Sequence, residues 1–506
     1  MIHDARRLGR GGRLRCDLCV VGSGPGGATV ATVAAEAGLK VVMLEPGAFI
    51  TPGQMTQREE QMLPRLLWQA GARMSRDHGT RIHQGKGVGG SSLHNLNLCK
   101  RIDPLLLEHW RTTRGLEALT PETWAGLYSE VEALLSVSTV PEAAWNRHNR
   151  ILRDGCTALG WRGGGLAHNR TGCLGSGFCE LGCAFDAKNN AAKVLVPRFV
   201  RAGGTVVTHA QAVRVKTRGG RVHGVEAVIV DGADPQATGR LEIEAPRVCV
   251  SASATGTPAL LLRSGLLDPG GETGRRLRLH PAVVVAGDFD EPVRAWEGIP
   301  QTYECSEHLD LSPGSERRLW IVPAFGHPMG VATMLPGHGP FHAELMRRYA
   351  HMAVLVAMLH DETAGVVEPD GDLGLTVDYR PIAADRRALA LGLKHGARLL
   401  FAAGARRVIV PTYDVQVLTR PDQVDALAET PIRPDTVSLS AVHPMGSVPM
   451  GADARVAAVD AFGRHHHVQG LWVSDGSLFP TSIGGPPQLS IYALGLHVGR
   501  ALLSAG

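Results

Sequence analysis

The sequence is short of several things. It has nine cysteines in 506 residues, too sparse for a disulfide framework to carry a chain this long, so a reduced, cytoplasmic setting is the expectation. It lacks an excess of either charge. Fifty-two Lys and Arg against 48 Asp and Glu leave a net charge of +4, and that balance offers no footprint for nucleic acid. No apolar run reaches the length of about 18 residues that a membrane span needs. Arg6, Arg7, Arg10, Arg13 and Arg15 cluster before the first strand, but no apolar stretch follows them, so neither a secretory nor a twin-arginine signal is read. Residues 1–15 are expected as a solvated basic tail. Internal repeats and low-complexity linkers are absent. What remains is a chain with 44% hydrophobic residues, long enough for two or three packed domains.

Glycine, by contrast, is plentiful, with 62 residues, and its first dense cluster is the most informative stretch. Cys16 to Val21 reads as a buried strand, followed by Gly22-Ser23-Gly24-Pro25-Gly26-Gly27 with the spacing G-x-G-x-x-G. A small-residue helix follows to Ala37, then a second strand from Leu39 that closes on Glu45. Gly22 permits the tight turn, Gly24 lets backbone approach a diphosphate, and Gly27 lets helix and strand pack closely. The helix N-terminus offers free N–H groups to phosphate, and Glu45 stands where an acid can accept ribose hydroxyls. Strand, helix, strand and terminal acid together predict a dinucleotide-binding unit; a turn without ligand is the competing reading. Cys16 and Cys19 form C-x-x-C, but residues three apart on a strand face opposite ways, which excludes a shared metal.

A second glycine cluster, Gly85 to Asn95, contains Gly87, Gly89, Gly90, Ser91, Ser92, His94 and Asn95. Near the C-terminus come Ala441-Val442-His443-Pro444-Met445-Gly446 and then Leu471-Trp472-Val473-Ser474-Asp475-Gly476. A Rossmann start, a G-x-G-x-G-G-S-S-x-x-N loop and an H-P-x-G segment, in that order, resemble the glucose–methanol–choline (GMC) flavoprotein oxidoreductases from about Cys16 to Arg500. The resemblance implies an α/β fold. Its FAD-binding domain is discontinuous, over 16–105, 190–281 and 438–506. A helical, cysteine-rich cover segment spans 106–189, and an α+β substrate domain with an antiparallel sheet spans 282–437.

It also implies site residues. Gly22, Gly24, Pro25, Gly26, Gly27, Glu45, Gly87, Gly89, Gly90, Ser91, His94, Asn95, Asp475 and Gly476 would line FAD. His94 falls on the register at which some members link a histidine covalently to the flavin; a histidine that merely packs there is the other reading. His443 falls on the catalytic histidine and is the expected base for an alcohol proton, since a near-neutral imidazole suits that transfer. Where the family places a second His or Asn, this chain has Pro486, which has no side-chain donor or acceptor. Gln488 is the nearest substitute and is expected in the catalytic role.

The reaction implied is oxidation of a small-molecule alcohol, bulky or apolar, with O2 or another compound as the final acceptor. The Pro486 departure keeps open a repurposed flavin site: a lyase, an isomerase or a light-driven decarboxylase. NAD binding and a non-enzymatic role are the remaining readings; the Gly87–Asn95 loop speaks against the former. Cys173, Cys179 and Cys183 lack metal-site spacing, so buried thiols or one disulfide are expected there. His465-His466-His467 is expected on a solvated turn, and no metal site is expected.

Overall fold

The computed structural model describes residues 1–7, 11–231, 236–266 and 268–505. Arg10 of the basic cluster lies outside the described residues.

The buried run Leu18–Val21 forms the centre of a six-stranded parallel sheet. Its neighbours are Val41–Glu45 on one side and Val248–Val250 on the other. Outward from these lie Thr205–Thr208 and then Ile2–Asp4 on one flank, and Leu471–Val473 on the other. Leu18–Val21, Val248–Val250 and Leu471–Val473 read as continuous apolar runs because both faces of a parallel sheet are covered. The helix Pro25–Glu36 lies on one face. The final helix, Gln488–Ser504, packs along it, with Gly495 against Thr29 and Gly499 against Val33.

The expected basic tail is corrected here. Ile2–Asp4 pairs with Thr205–Thr208 at the sheet edge, and Gly12–Arg15 pairs in parallel with Gln236–Glu244 of a four-stranded sheet. Backbone pairing holds both segments, and Arg13 adds ion pairs to Glu242 and Glu244. Ala210–Arg218 and Arg221–Asp231 form a hairpin that turns at Gly219-Gly220.

The second body is a largely antiparallel sheet. Ala282–Asp288 and Met352–Leu359 are its central pair, and Leu319–Pro323 lies beyond. Helix Ala383–Ala402 covers it, with Gly392 and Gly396 letting the helix approach Val283 and Val285. Gly163–Gly165, from the expected cover segment, pairs with Tyr303–Cys305 at the sheet edge. Among the described residues no helix is long and apolar enough to cross a membrane.

One contact tests the packing directly. A Cβ added at Gly26 would sit 1.8 Å from the Ser474 carbonyl oxygen, so backbone would have to move. Gly26→Ala is expected to cost about 2 kcal/mol or more, read as a lower Tm in a thermal unfolding scan.

Candidate functional site

The opening turn is shaped by backbone contact. Gly22 has φ +99°, and a Cβ there would meet the Ser251 carbonyl at 2.2 Å. Helix Pro25–Glu36 begins at Gly24 with no side-chain cap, so its first N–H groups and the positive end of its dipole stay available. The second glycine loop comes to the same place: a Cβ at Gly90 would lie 2.8 Å from the Gly24 Cα. Gly24, Pro25, Gly90, His94 and Asn95 are half-buried and Ser91 is exposed, whereas Gly22, Gly26, Gly27, Gly87 and Gly89 are buried. The partly exposed residues form a strip over the helix end.

Glu45 departs from the expected geometry. Its Oε2 accepts from the Ser23 hydroxyl (2.6 Å) and amide (3.4 Å), and its Oε1 from the Gly47 (2.9 Å) and Gly87 (3.0 Å) amides. All its lone pairs are used by the protein. The carboxylate therefore ties three loops together. Burial pushes its pKa up, and the four donors oppose that rise. Asp475 behaves similarly. It accepts from the Ser253 and Ser477 amides and the Thr257 hydroxyl, joining the return strand to helix Ser253–Arg263. Gly476 beside it is buried.

The fit to FAD rests on what is left unpaired. The helix end is uncapped, glycines leave the backbone bare, and the buried His94 Nε2, Ser474 Oγ and Ser477 Oγ have no hydrogen-bond partner. Buried polar atoms of this kind ordinarily find one. This combination of bare amides, hydroxyls and an imidazole fits a dinucleotide cofactor. Burial, with help from nearby Lys188, lowers the His94 pKa to about 3, so its ring is neutral.

Gln488 is corrected. Its Oε1 accepts from the Asn95 amide at 2.7 Å, and its Nε2 donates to the Leu98 carbonyl at 2.7 Å and to Asn169 Oδ1 at 3.1 Å. Both ends of the amide are engaged, so it is a strut between the final helix and the glycine–serine loop. Asn95 is the other end of that strut.

The partner of His443 is instead His280, with Nδ1 to Nδ1 at 2.9 Å and ring centroids 5.2 Å apart. Register brings them together. Arg278 pairs with Met445 in the short antiparallel ladder of Arg275–Arg278 with Met445–Ser447, and two residues further along each chain His280 faces His443. His280 is buried, stands at φ +50°, and stacks near Trp320 at 6.5 Å; its Nε2 is buried and unpartnered. Its own amide is fixed by Asp361 Oδ1 at 3.2 Å. Burial pushes His280 well below the usual imidazole range and His443 down to about 3, so both rings are neutral near pH 7. His443 itself is half-buried.

Sequence reasoning missed His280 because no motif spaces it from His443; the pairing exists only in the ladder. It also missed Lys188. This buried ammonium donates to the carbonyls of Leu93, Asn95 and Cys179, fastening the glycine–serine loop to the cysteine-bearing loop. Burial lowers its pKa to about 8. All nine cysteines are free thiols, and no group of three metal-ligating side chains occurs among the described residues. The histidine run at 465–467 is corrected in part: His465 is buried, and its Nδ1 accepts from the His467 amide.

Gln488→Leu would strip the Asn95 amide and the Leu98 carbonyl of their Gln488 bonds and leave Asn169 Oδ1 with the Cys99 thiol. It is expected to cost about 2–4 kcal/mol, measured as a fall in Tm.

The GMC oxidoreductase family pattern matches residues 63–282 and again 345–495. An uncharacterised GMC-type oxidoreductase of Mycobacterium tuberculosis (strain ATCC 25618 / H37Rv) is 35% identical over 496 residues, 96% of this chain and 75% of that protein. A long-chain-alcohol oxidase of Arabidopsis thaliana is 30% identical over 509 residues, 95% of this chain and 66% of that protein. Among solved structures, pyridoxine 4-oxidase from Mesorbium loti superposes with TM-score 0.72 at 18% identity, covering 96% of this chain and 99% of that one. Formate oxidase of Aspergillus oryzae RIB40 superposes with TM-score 0.71 at 15% identity, covering 98% and 99%. The likeness to those two structures concerns the fold alone. On the family match and the 35% identity, this chain belongs to the GMC oxidoreductase family and is an FAD-dependent oxidoreductase.

Proposed function

We propose that the protein oxidises the carbinol of a largely apolar alcohol to a carbonyl, with His443 receiving the hydroxyl proton. The observation that carries this reading is the neutral, directly bonded His443–His280 pair. When bound, the flavin supplies the acceptor for the hydride that leaves the carbinol carbon.

A neutral imidazole pair joined Nδ1 to Nδ1 shares one proton between those two nitrogens. For His443 to accept at Nε2, it must carry its own proton on Nδ1 and donate it to His280 Nδ1. His280 then holds its proton on Nε2. The positive charge that develops on His443 is stabilised by that bond, while burial raises its energy; the His280 acceptor is what makes proton uptake affordable in a dry site. His280 thus supplies the polar group that Pro486 cannot, and the departure at Pro486 requires no change of reaction type. The apolar character of the substrate is supported by the relative that acts on long-chain alcohols.

We also assign the unpartnered His94 Nε2 as the atom available for covalent attachment of the flavin. Gly24, Gly26, Gly27, Gly90 and Ser91 would hold the diphosphate and ring through their backbone.

His443→Gln is expected to lower kcat/KM for an alcohol by about 10²–10⁴-fold; turnover at the parental rate would remove His443 from the reaction. The base form is needed, and with its pKa near 3 it persists at every higher pH. The kcat/KM profile should therefore stay flat from about pH 5 to 8 and fall only as pH drops toward 3. Denaturation should leave yellow colour on the polypeptide, and His94→Ala should release it to the supernatant; colour retained by that variant would exclude His94.

A further inference from the structure

Lys188 is a buried cation that proton transfer at His443 does not use. It is 1% exposed, and its ammonium carries three N–H groups. All three go to main-chain carbonyls: Leu93 at 3.0 Å, Cys179 at 2.9 Å, and Asn95. None is left for a carboxylate, and Glu180 feels the charge only through space. With its pKa at about 8 the group is still charged at pH 7. A cation without an ion pair is costly to bury, so its position calls for a role beyond closing a loop.

Two of the three carbonyls flank His94. Gly90–Leu93 is one short helical turn that ends at His94, and carbonyls at the end of such a turn have no helical partner. Among the described residues no backbone amide reaches the Leu93 or the Asn95 carbonyl. Lys188 satisfies both and so fixes the peptide on either side of the His94 ring. Its own root is anchored: Lys188 bridges to Arg170, and the Asn189 side chain donates to the Leu135 carbonyl at 2.9 Å. The ammonium also acts on the ring. Burial first, and Lys188 second, bring the His94 pKa down to about 3. A neutral imidazole keeps a lone pair on one nitrogen, and Nε2 is the buried nitrogen without a partner.

We propose that Lys188 is the positioning residue for covalent attachment of the flavin: by holding the peptides on both sides of His94, it presents Nε2 to the flavin's 8α-methyl carbon. The proposal rests on the assignment of His94 as the attachment residue and adds what orients it. In the net step one hydrogen leaves the imidazole and one leaves the methyl group. The bond from Nε2 to the methyl carbon forms, and the two hydrogens and two electrons reduce the ring system. Dioxygen, or the enzyme's own electron acceptor, then reoxidises it. Lys188 itself neither gains nor loses a proton; it holds the nucleophile still and keeps a second positive charge off the ring.

The test mixes full-length apoprotein with FAD under air and follows two quantities over time. Total bound flavin is read by absorbance after gel filtration, and attached flavin by absorbance of the acid-precipitated polypeptide. Wild type, Lys188→Met, Lys188→Arg and His94→Ala are compared. Lys188→Met is expected to bind FAD to within about twofold of wild type but to attach it about tenfold more slowly or worse, as a misplaced reacting group would. Lys188→Arg keeps the charge and the donors and should recover part of the rate. Attachment by Lys188→Met at the parental rate would overturn the proposal, and so would bound and attached flavin falling in equal proportion, the mark of a purely structural role. If Lys188→Met does not fold, Lys188→Gln, which can still donate to two carbonyls but carries no charge, is read by the same two quantities with the same expected split. Flavin released by the denatured wild type, or retained by denatured His94→Ala, would overturn the His94 assignment and this proposal with it. Attachment lost in His94→Ala yet unchanged in Lys188→Met would leave His94 standing and remove Lys188 alone.

Discussion

Backbone contact without side chains is the constraint on which this structure turns. The chain closes on its first glycine turn from three distant places: Ser251 against Gly22, Ser474 against Gly26, and Gly90 against Gly24. A Cβ at Gly22, Gly26 or Gly90 would clash with backbone, so the three segments meet through glycine. Their meeting fixes more than the turn. Val448 donates to the Ser477 carbonyl at 3.0 Å, and the Pro444 carbonyl lies 3.1 Å from where a Cβ of Gly476 would be. The His443 segment is thus set by the same return strand that touches Gly26. A shift of the turn would carry through to the imidazole pair.

Around that frame, burial and hydrogen bonding compete, and the outcome differs by partner. Asp288 is deeply buried, but Arg348, Arg406 and Arg407 all bond it, and its pKa falls despite desolvation. Glu45, Asp361 and Asp475 are bonded by amides and hydroxyls only, and there desolvation wins and their pKa values rise. Neutral donors bond these three carboxylates without cancelling their cost. The histidines follow the same rule in the opposite sense, since burial favours their uncharged form. The site is consequently built from neutral rings and from acids bonded by amides and hydroxyls.

What was legible in the sequence is what is local. Gly22, Gly24 and Gly27, the strand before them and the strand ending at Glu45 obey spacing rules that act within about thirty residues. The hairpin at Gly219-Gly220 and the helix at Ala383–Ala402 announce themselves by turn chemistry and by period. Ile2–Asp4 and Gly12–Arg15 did not, because strands of three or four residues carry too little alternation to be told from a tail. The bonds from Gly47 and Gly87 to Glu45 were not legible, because only the fold brings those loops to it. Lys188 gives no sequence signal at all, because its three acceptors are main-chain carbonyls contributed by Leu93, Asn95 and Cys179.

Pro486 illustrates how a missing side chain can be made good by geometry. The final helix begins at Gln488, directly after Pro486 and Pro487, with Pro487 at its N-cap. Residues that cannot donate suit that junction, where N–H groups would have no partner inside the helix. With proline there, the second polar group at His443 has to come from elsewhere, and the ladder of Arg275–Arg278 with Met445–Ser447 supplies it. Arg278 stands opposite Met445 in that ladder, and two residues beyond it His280 meets His443. The short ladder thereby holds the two imidazoles together.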